Sequence, residues 1–226
     1  KFVGWADSIF TASSSTYYTI ENAKSGSQVL TISGQATTTN LIVSSGDNMN
    51  GGTLNVLGSI TVTNTGGYGG TLTININGTS TQTLSSAGWG FPNVAINKPS
   101  GTLYLSGIIP VAGNWTWQSG TVDAQTSTLK FIGWNNSTII ASSSNYYNIQ
   151  VNKASGDYQL ILGSNLRMTG SLTITSGTFN EGSYTIYPSS PYSLGPSSVV
   201  NGSWTTSTQP LFSFIQTDLD ASNTVK

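Results

Sequence analysis

The chain is 226 residues long, carries a net charge of −1 and has only 7% charged residues, against about 25% in an average soluble domain. It contains no histidine and no cysteine, which excludes Ser-His-Asp and Cys-His catalysis, cysteine-ligated metal centres and a disulfide-stapled module. No basic surface for nucleic acid is available, and apolar runs such as Ile108-Ile109-Pro110-Val111-Ala112 fall far short of the ~20 residues of a spanning helix, so no membrane insertion is expected.

The chain opens with Lys1-Phe2-Val3-Gly4-Trp5, followed by Ala12-Ser13-Ser14-Ser15 and Tyr17-Tyr18. The same phrases return as Lys130-Phe131-Ile132-Gly133-Trp134, Ala141-Ser142-Ser143-Ser144 and Tyr146-Tyr147, each offset by 129 residues. A match without slippage inside one chain reads as internal duplication and predicts a repeat architecture. A fainter copy lies between them: Phe91-Pro92-Asn93-Val94, Asn97-Lys98 and Ser100-Gly101 echo Tyr147-Asn148-Ile149, Asn152-Lys153 and Ser155-Gly156. The corresponding lysines Lys24, Lys98 and Lys153 are 74 and then 55 residues apart, so the units differ in length. Three units, 1–69, 70–127 and 128–190, are expected to form one β-repeat body, with a Pro/Ser-rich linker or cap and a C-terminal strand over 191–226. Lys1 stands inside a motif whose later copy is preceded by Thr128-Leu129, which reads as a processed chain or one cut from a longer polypeptide.

Period-two alternation runs through Ser59-Ile60-Thr61-Val62-Thr63, Thr71-Leu72-Thr73-Ile74-Asn75-Ile76, Asn148-Ile149-Gln150-Val151-Asn152 and Ser171-Leu172-Thr173-Ile174-Thr175. It places apolar side chains on one face and Thr, Asn or Gln on the other, and the β-branched content favours strands. Breaks fall at Gly66-Gly67, Gly69-Gly70, Ser119-Gly120, Ser176-Gly177 and Glu181-Gly182. No window carries a helical period. The fold expected is all-β, a parallel β-solenoid (β-helix) of three degenerate repeat units with about three coils in each; the alternative is a pair of tandem β-sandwich domains. Near the end, Leu211, Phe212, Phe214 and Ile215 sit on an apolar strand that either closes the last coil or joins a neighbouring subunit by strand addition.

The residues offer little chemistry. The eight carboxylates are dispersed, so a glycosidase-type acid pair is not expected. Asp218-Leu219-Asp220-Ala221-Ser222-Asn223 lacks the glycine and distal glutamate of an EF-hand loop. Catalytic, metal and cofactor sites are therefore all expected to be absent. Trp115 and Trp117 flank Thr116, which puts two indoles on one strand face as a glycan platform would, with core packing as the competing reading. Sequons at Asn77, Asn114, Asn135, Asn136 and Asn201 mark candidate glycosylation sites in an extracellular or cell-surface protein.

The phrases Tyr146-Tyr147-Asn148-Ile149-Gln150-Val151-Asn152-Lys153-Ala154-Ser155-Gly156 and Gly170-Ser171-Leu172-Thr173-Ile174-Thr175-Ser176-Gly177-Thr178-Phe179 resemble the repeats of bacterial and archaeal cell-surface β-solenoid proteins, of the adhesin, filament, sheath and surface-layer types. The resemblance spans about 1–187 and implies no catalytic residues. What it implies is a structural subunit of an extracellular assembly, a homo-oligomer or polymer joined through β-strands. A carbohydrate-binding adhesin module is the first alternative, and a β-helical polysaccharide-processing enzyme or tail-fibre fragment the second.

Overall fold

The computed structural model describes residues 1–141, 144–187 and 193–201, the last of these as backbone. The described residues contain no helix, and all of their strand pairings are parallel. Partners lie about one coil apart in sequence, as in Phe2↔Asn22, Thr53↔Thr73 and Thr128↔Asn148. The result is a parallel β-solenoid of about 9 turns. The tandem-sandwich alternative does not fit, because a sandwich is built from antiparallel hairpins.

Parallel stacking turns the period-two pattern into columns. The inward residue of each strand lies over the inward residue of the coil beneath, so apolar side chains form continuous stacks. One stack runs Leu54, Ile74, Val94, Trp115, Ile139, Leu162, all buried. Another runs Phe91, Val111, Phe131, Val151, Ile174, again fully buried, and its register continues to Leu194. With so few charges, the outward positions are filled by Thr, Asn and Ser, which hydrogen-bond between coils.

The strand Ser193–Asn201 falls within the segment expected to be a linker or cap, yet it pairs in parallel with Leu172–Asn180. Its proline was the misleading signal. The register slips between Ile174↔Leu194 and Ser176↔Ser197, so Pro196 stands in a bulge, where a missing N–H breaks no regular ladder bond. Leu211, Phe212, Phe214 and Ile215 lie outside the described residues.

Phe131 is held between Val111 and Val151 in its stack and is fully buried. Phe131→Ala is expected to lower unfolding free energy by about 3–5 kcal/mol, read by chemical denaturation; the exposed Trp134, changed to alanine, should stay within about 0.5 kcal/mol.

Candidate functional site

The three lysines of the repeat signature are buried. Lys24, Lys98 and Lys153 retain 2%, 1% and 2% of their accessible surface, although lysine is among the residues least often buried without a partner charge. Among the described residues no carboxylate pairs with them. The Lys98 Nζ donates to the carbonyls of Gly78 at 2.7 Å and Ser80 at 2.8 Å and to Gln82 Oε1 at 2.6 Å. The Lys153 Nζ donates to Ile132 O at 2.8 Å and Ser137 Oγ at 2.6 Å. The Lys24 Nζ donates to Val3 O at 3.2 Å, Ala6 O at 2.7 Å and the Ser8 hydroxyl. In each case the side-chain acceptor, Ser8, Gln82 or Ser137, precedes its lysine by 16 residues. The ammonium therefore reaches back into the preceding coil and collects the oxygens of a corner where the strand ladder is interrupted, an example of buried polar atoms satisfied by one another.

The following coil is adapted to each lysine. Gly46, Gly120 and Gly177 have φ of +95°, +95° and +99°, and a Cβ on them would lie 3.0, 2.6 and 2.7 Å from the Cβ of Lys24, Lys98 and Lys153 respectively. The ladder slips just before each of these glycines, at Ser44, Gln118 and Thr175. The breaks read from the sequence at Ser119-Gly120 and Ser176-Gly177, and a third at Ser45-Gly46, are thus turns beside bulges fitted over the lysines, where glycine alone adopts the backbone at no cost.

Asparagine and aspartate serve the other corners. Side-chain oxygens of Asp7, Asn50, Asn93, Asn114, Asn136, Asn148 and Asn165 accept the backbone N–H of Val29, Thr71, Asn114, Thr138, Gln159, Ser171 and Thr185, one coil on, at 2.8–3.0 Å. These bonds restore ladder acceptors that the turning backbone cannot supply.

The sequence-predicted sites are distributed unevenly over this frame. Trp115 is fully buried; its Nε1 donates to Tyr146 Oη at 2.8 Å, edge-on to that ring. The Trp115–Trp117 platform is therefore not presented to solvent, because stacking makes Trp115 a column residue between Val94 and Ile139. Trp117 is half-buried, and its indole N–H is held by Gly120 O at 2.9 Å. Among the sequons, Asn114, Asn135 and Asn136 are exposed, with the Asn114 and Asn136 carbonyl oxygens engaged as above. Asn77 is half-buried with a buried, unpartnered Oδ1, and the side chain of Asn201 lies outside the described residues. The described carboxylates mostly act as local acceptors: Asp47 takes the Tyr68 N–H, Asp123 the Gln125 N–H, Asp157 the Ser155 hydroxyl, and Glu21 pairs with Lys1 at 3.0 Å. Asp218 and Asp220 lie outside the described residues. No group of three or more metal-ligating side chains occurs among the described residues.

The first coil differs from the others. Phe2–Gly4 pairs only with Thr16–Lys24, and Ser8–Thr11 only with Leu30–Ser45, so among the described residues their outer edges carry no strand. Val3, Trp5, Ile9 and Tyr18 are 58%, 79%, 74% and 80% exposed there. Phe2, Phe10 and Tyr17 form a chain of ring contacts, with centroids 5.3 and 5.0 Å apart, that is only partly buried.

No family model, curated protein or solved structure matches this chain. The site must be judged on its own geometry. That geometry shows polar groups spent on holding coils together.

Burial pulls the Lys153 ammonium from 10.5 down to about 8 and raises the Glu181 carboxyl, whose Oε1 is buried without a partner, from 4.5 to about 7. The raised Glu181 contributes stability that is full below pH 4.5 and lost as pH rises through 7. The depressed Lys153 contributes stability that is lost as pH falls through 8 and full above 10.5. Unfolding free energy should therefore pass through a trough between pH 7 and 8, with each limb worth about 3 kcal/mol. Denaturation across pH 4.5–10 checks this. Lys153→Met should reduce the alkaline limb, to which the likewise depressed Lys98 also contributes, and Glu181→Gln should reduce the acidic one.

Proposed function

We propose that this protein is a structural subunit of an extracellular assembly, a filament, sheath or surface layer, whose copies associate through β-strands. The observation that carries the reading is the all-parallel stack of about 9 turns, in which every coil is built to fit another coil of the same kind on each side. A stack of parallel strands ends in strand edges, and such edges are templates for pairing with another chain.

Composition supports the same reading. A surface with 7% charge and a net charge of −1 opposes close packing of copies with little electrostatic repulsion. The repeat body provides length: about 9 turns at ~4.8 Å per coil amount to roughly 40 Å. The resemblance of the repeats to those of bacterial and archaeal surface proteins supports an extracellular setting, and the exposed sequons Asn114, Asn135 and Asn136 suit glycosylation there. The carbohydrate-binding alternative loses its site with the burial of Trp115.

Electron microscopy beside sedimentation of the same sample tests the proposal. Regular linear or sheet-like particles are expected, with assembly changing little from about 0.05 to about 0.5 M salt, since apolar and backbone contacts are not screened. Uniform monomers at every concentration would overturn it.

A further inference from the structure

The internal duplication sets Trp134-Asn135-Asn136-Ser137-Thr138 against Trp5-Ala6-Asp7-Ser8-Ile9, residue for residue at the offset of 129. Both segments turn the same kind of corner. Asp7 Oδ1 accepts the Val29 N–H at 2.8 Å, and Asn136 Oδ1 accepts the Gln159 N–H at 2.9 Å, so the stack asks this position for one acceptor oxygen, which a carboxylate or an amide supplies. Ser8 and Ser137 each hold the ammonium of the buried lysine 16 residues on. The stack does not require the two exchanges between the copies. The second copy carries an amide nitrogen where the first has a second carboxylate oxygen, and a threonine where the first has Ile9. Together those exchanges write the acceptor sequence Asn136-Ser137-Thr138.

The structure also separates the sequons it describes. Asn136 is exposed, its Oδ1 is fixed by the next coil, and its Nδ2 has no partner among the described residues, so a substituent on that nitrogen displaces no bond. In the overlapping sequon of Asn135 the hydroxyl residue is Ser137, which is buried and committed to Lys153 Nζ at 2.6 Å. Asn77 is half-buried with its Oδ1 enclosed, and the middle residue of the Asn114 sequon is the core residue Trp115. Asn136 has in addition an aromatic ring two residues before it. Trp134 is 61% exposed although coils lie on both sides of its own. Tyr158, one coil on, meets the indole at 79° with centroids 6.3 Å apart. That contact steadies the ring and leaves most of its surface in water.

We infer that Asn136 is a glycosylation site whose first sugar stacks on Trp134. The inference rests on the extracellular setting proposed above and adds the site and the residue that orients the saccharide. Attachment requires a glycosyl pyrophosphate donor and a transferase. Nδ2 gives up one proton and bonds to the anomeric carbon, whose bond to the phosphate oxygen breaks as the pyrophosphate departs. The linked unit, a neutral hexose or N-acetylhexosamine, reaches the indole because two residues span at most about 7 Å of chain. Its C–H face lies on the electron-rich face of the ring and covers apolar surface that the coils leave exposed.

Trypsin should release residues 131–153 as one peptide, in which Asn135 and Asn136 are the only sequon asparagines. From natively isolated protein this peptide should carry a saccharide mass, placed on Asn136 by fragmentation that preserves the side-chain linkage. Two variants made in the natural host remove the acceptor sequence by copying the first repeat: Asn136→Asp, which keeps the acceptor oxygen as Asp7 does, and Thr138→Ile, which leaves Asn136 untouched. Each should lose the saccharide with an unchanged far-ultraviolet circular dichroism spectrum. Hydroxyl-radical oxidation of Trp134 should then rise by about threefold or more, with Trp5 unchanged as the internal reference. An unmodified 131–153 peptide from chains recovered at the cell surface, or a saccharide on Asn135 instead, would overturn the site and leave the structural reading standing. Trp134 oxidation that does not respond to loss of the saccharide would overturn the stacking. Chains recovered only from the cell interior would remove the extracellular setting and this site with it.

Discussion

The structure depends on the parallel ladder between coils. A strand in a parallel stack directs its N–H and C=O groups alternately to the coil before and the coil after, so no coil is complete without two neighbours. Apolar stacking follows from the same register, since it sets Trp115 between Val94 and Ile139 and Phe131 between Val111 and Val151. Interior coils satisfy both requirements together. Among the described residues, none pairs with the outer side of the first coil.

Corners are where a ladder of this kind fails, because a turning backbone points its carbonyls and amides away from the adjacent coil. This chain repairs them in two ways. Asparagine and aspartate oxygens receive stray amides one coil on, and the ammonium groups of Lys24, Lys98 and Lys153 gather stray carbonyls one coil back. A buried ammonium without a carboxylate is expensive in isolation. Surrounded by oxygens it becomes a clamp with several donors, and the desolvation that remains is visible as the lowered pKa of Lys98 and Lys153. The same chemistry accounts for the composition: Asn, Ser and Thr form bonds between neighbouring coils in the places where another soluble protein would carry charge.

The fold was legible in the sequence because its two signals are local. Alternation in segments such as Thr71-Leu72-Thr73-Ile74-Asn75-Ile76 fixes the inward face, and the unslipped repeat of Lys1-Phe2-Val3-Gly4-Trp5 at Lys130 fixes the architecture. What the sequence concealed depends on what stacks over what. Trp115 and Trp117 share a strand face by alternation, yet only the coil above and below makes the first a core residue. Pro196 reads as a break until the register slip beside it is known. The lysines were visible as markers of the repeat and not as buried groups. The available signal was that three of only seven basic residues recur in one signature without acidic partners, a pattern with no purpose on a solvated surface.

Duplication also bears on how such a body can grow. Each coil is specified by its fit to two neighbours, so a surface that fits a coil of its own chain will fit the equivalent coil of another copy without new design. A closed globular fold must evolve a separate interface to polymerise; a solenoid has to leave only one coil uncapped. The first coil shares Phe2, Ser8 and Tyr17 with its internally covered twin at Phe131, Ser137 and Tyr146, so the surface it presents is one that a parallel coil, of this chain or of another copy, fits. Large apolar side chains at a strand edge are an aggregation liability, and a coil stacked on them removes it by making the edge equivalent to the interior of the stack.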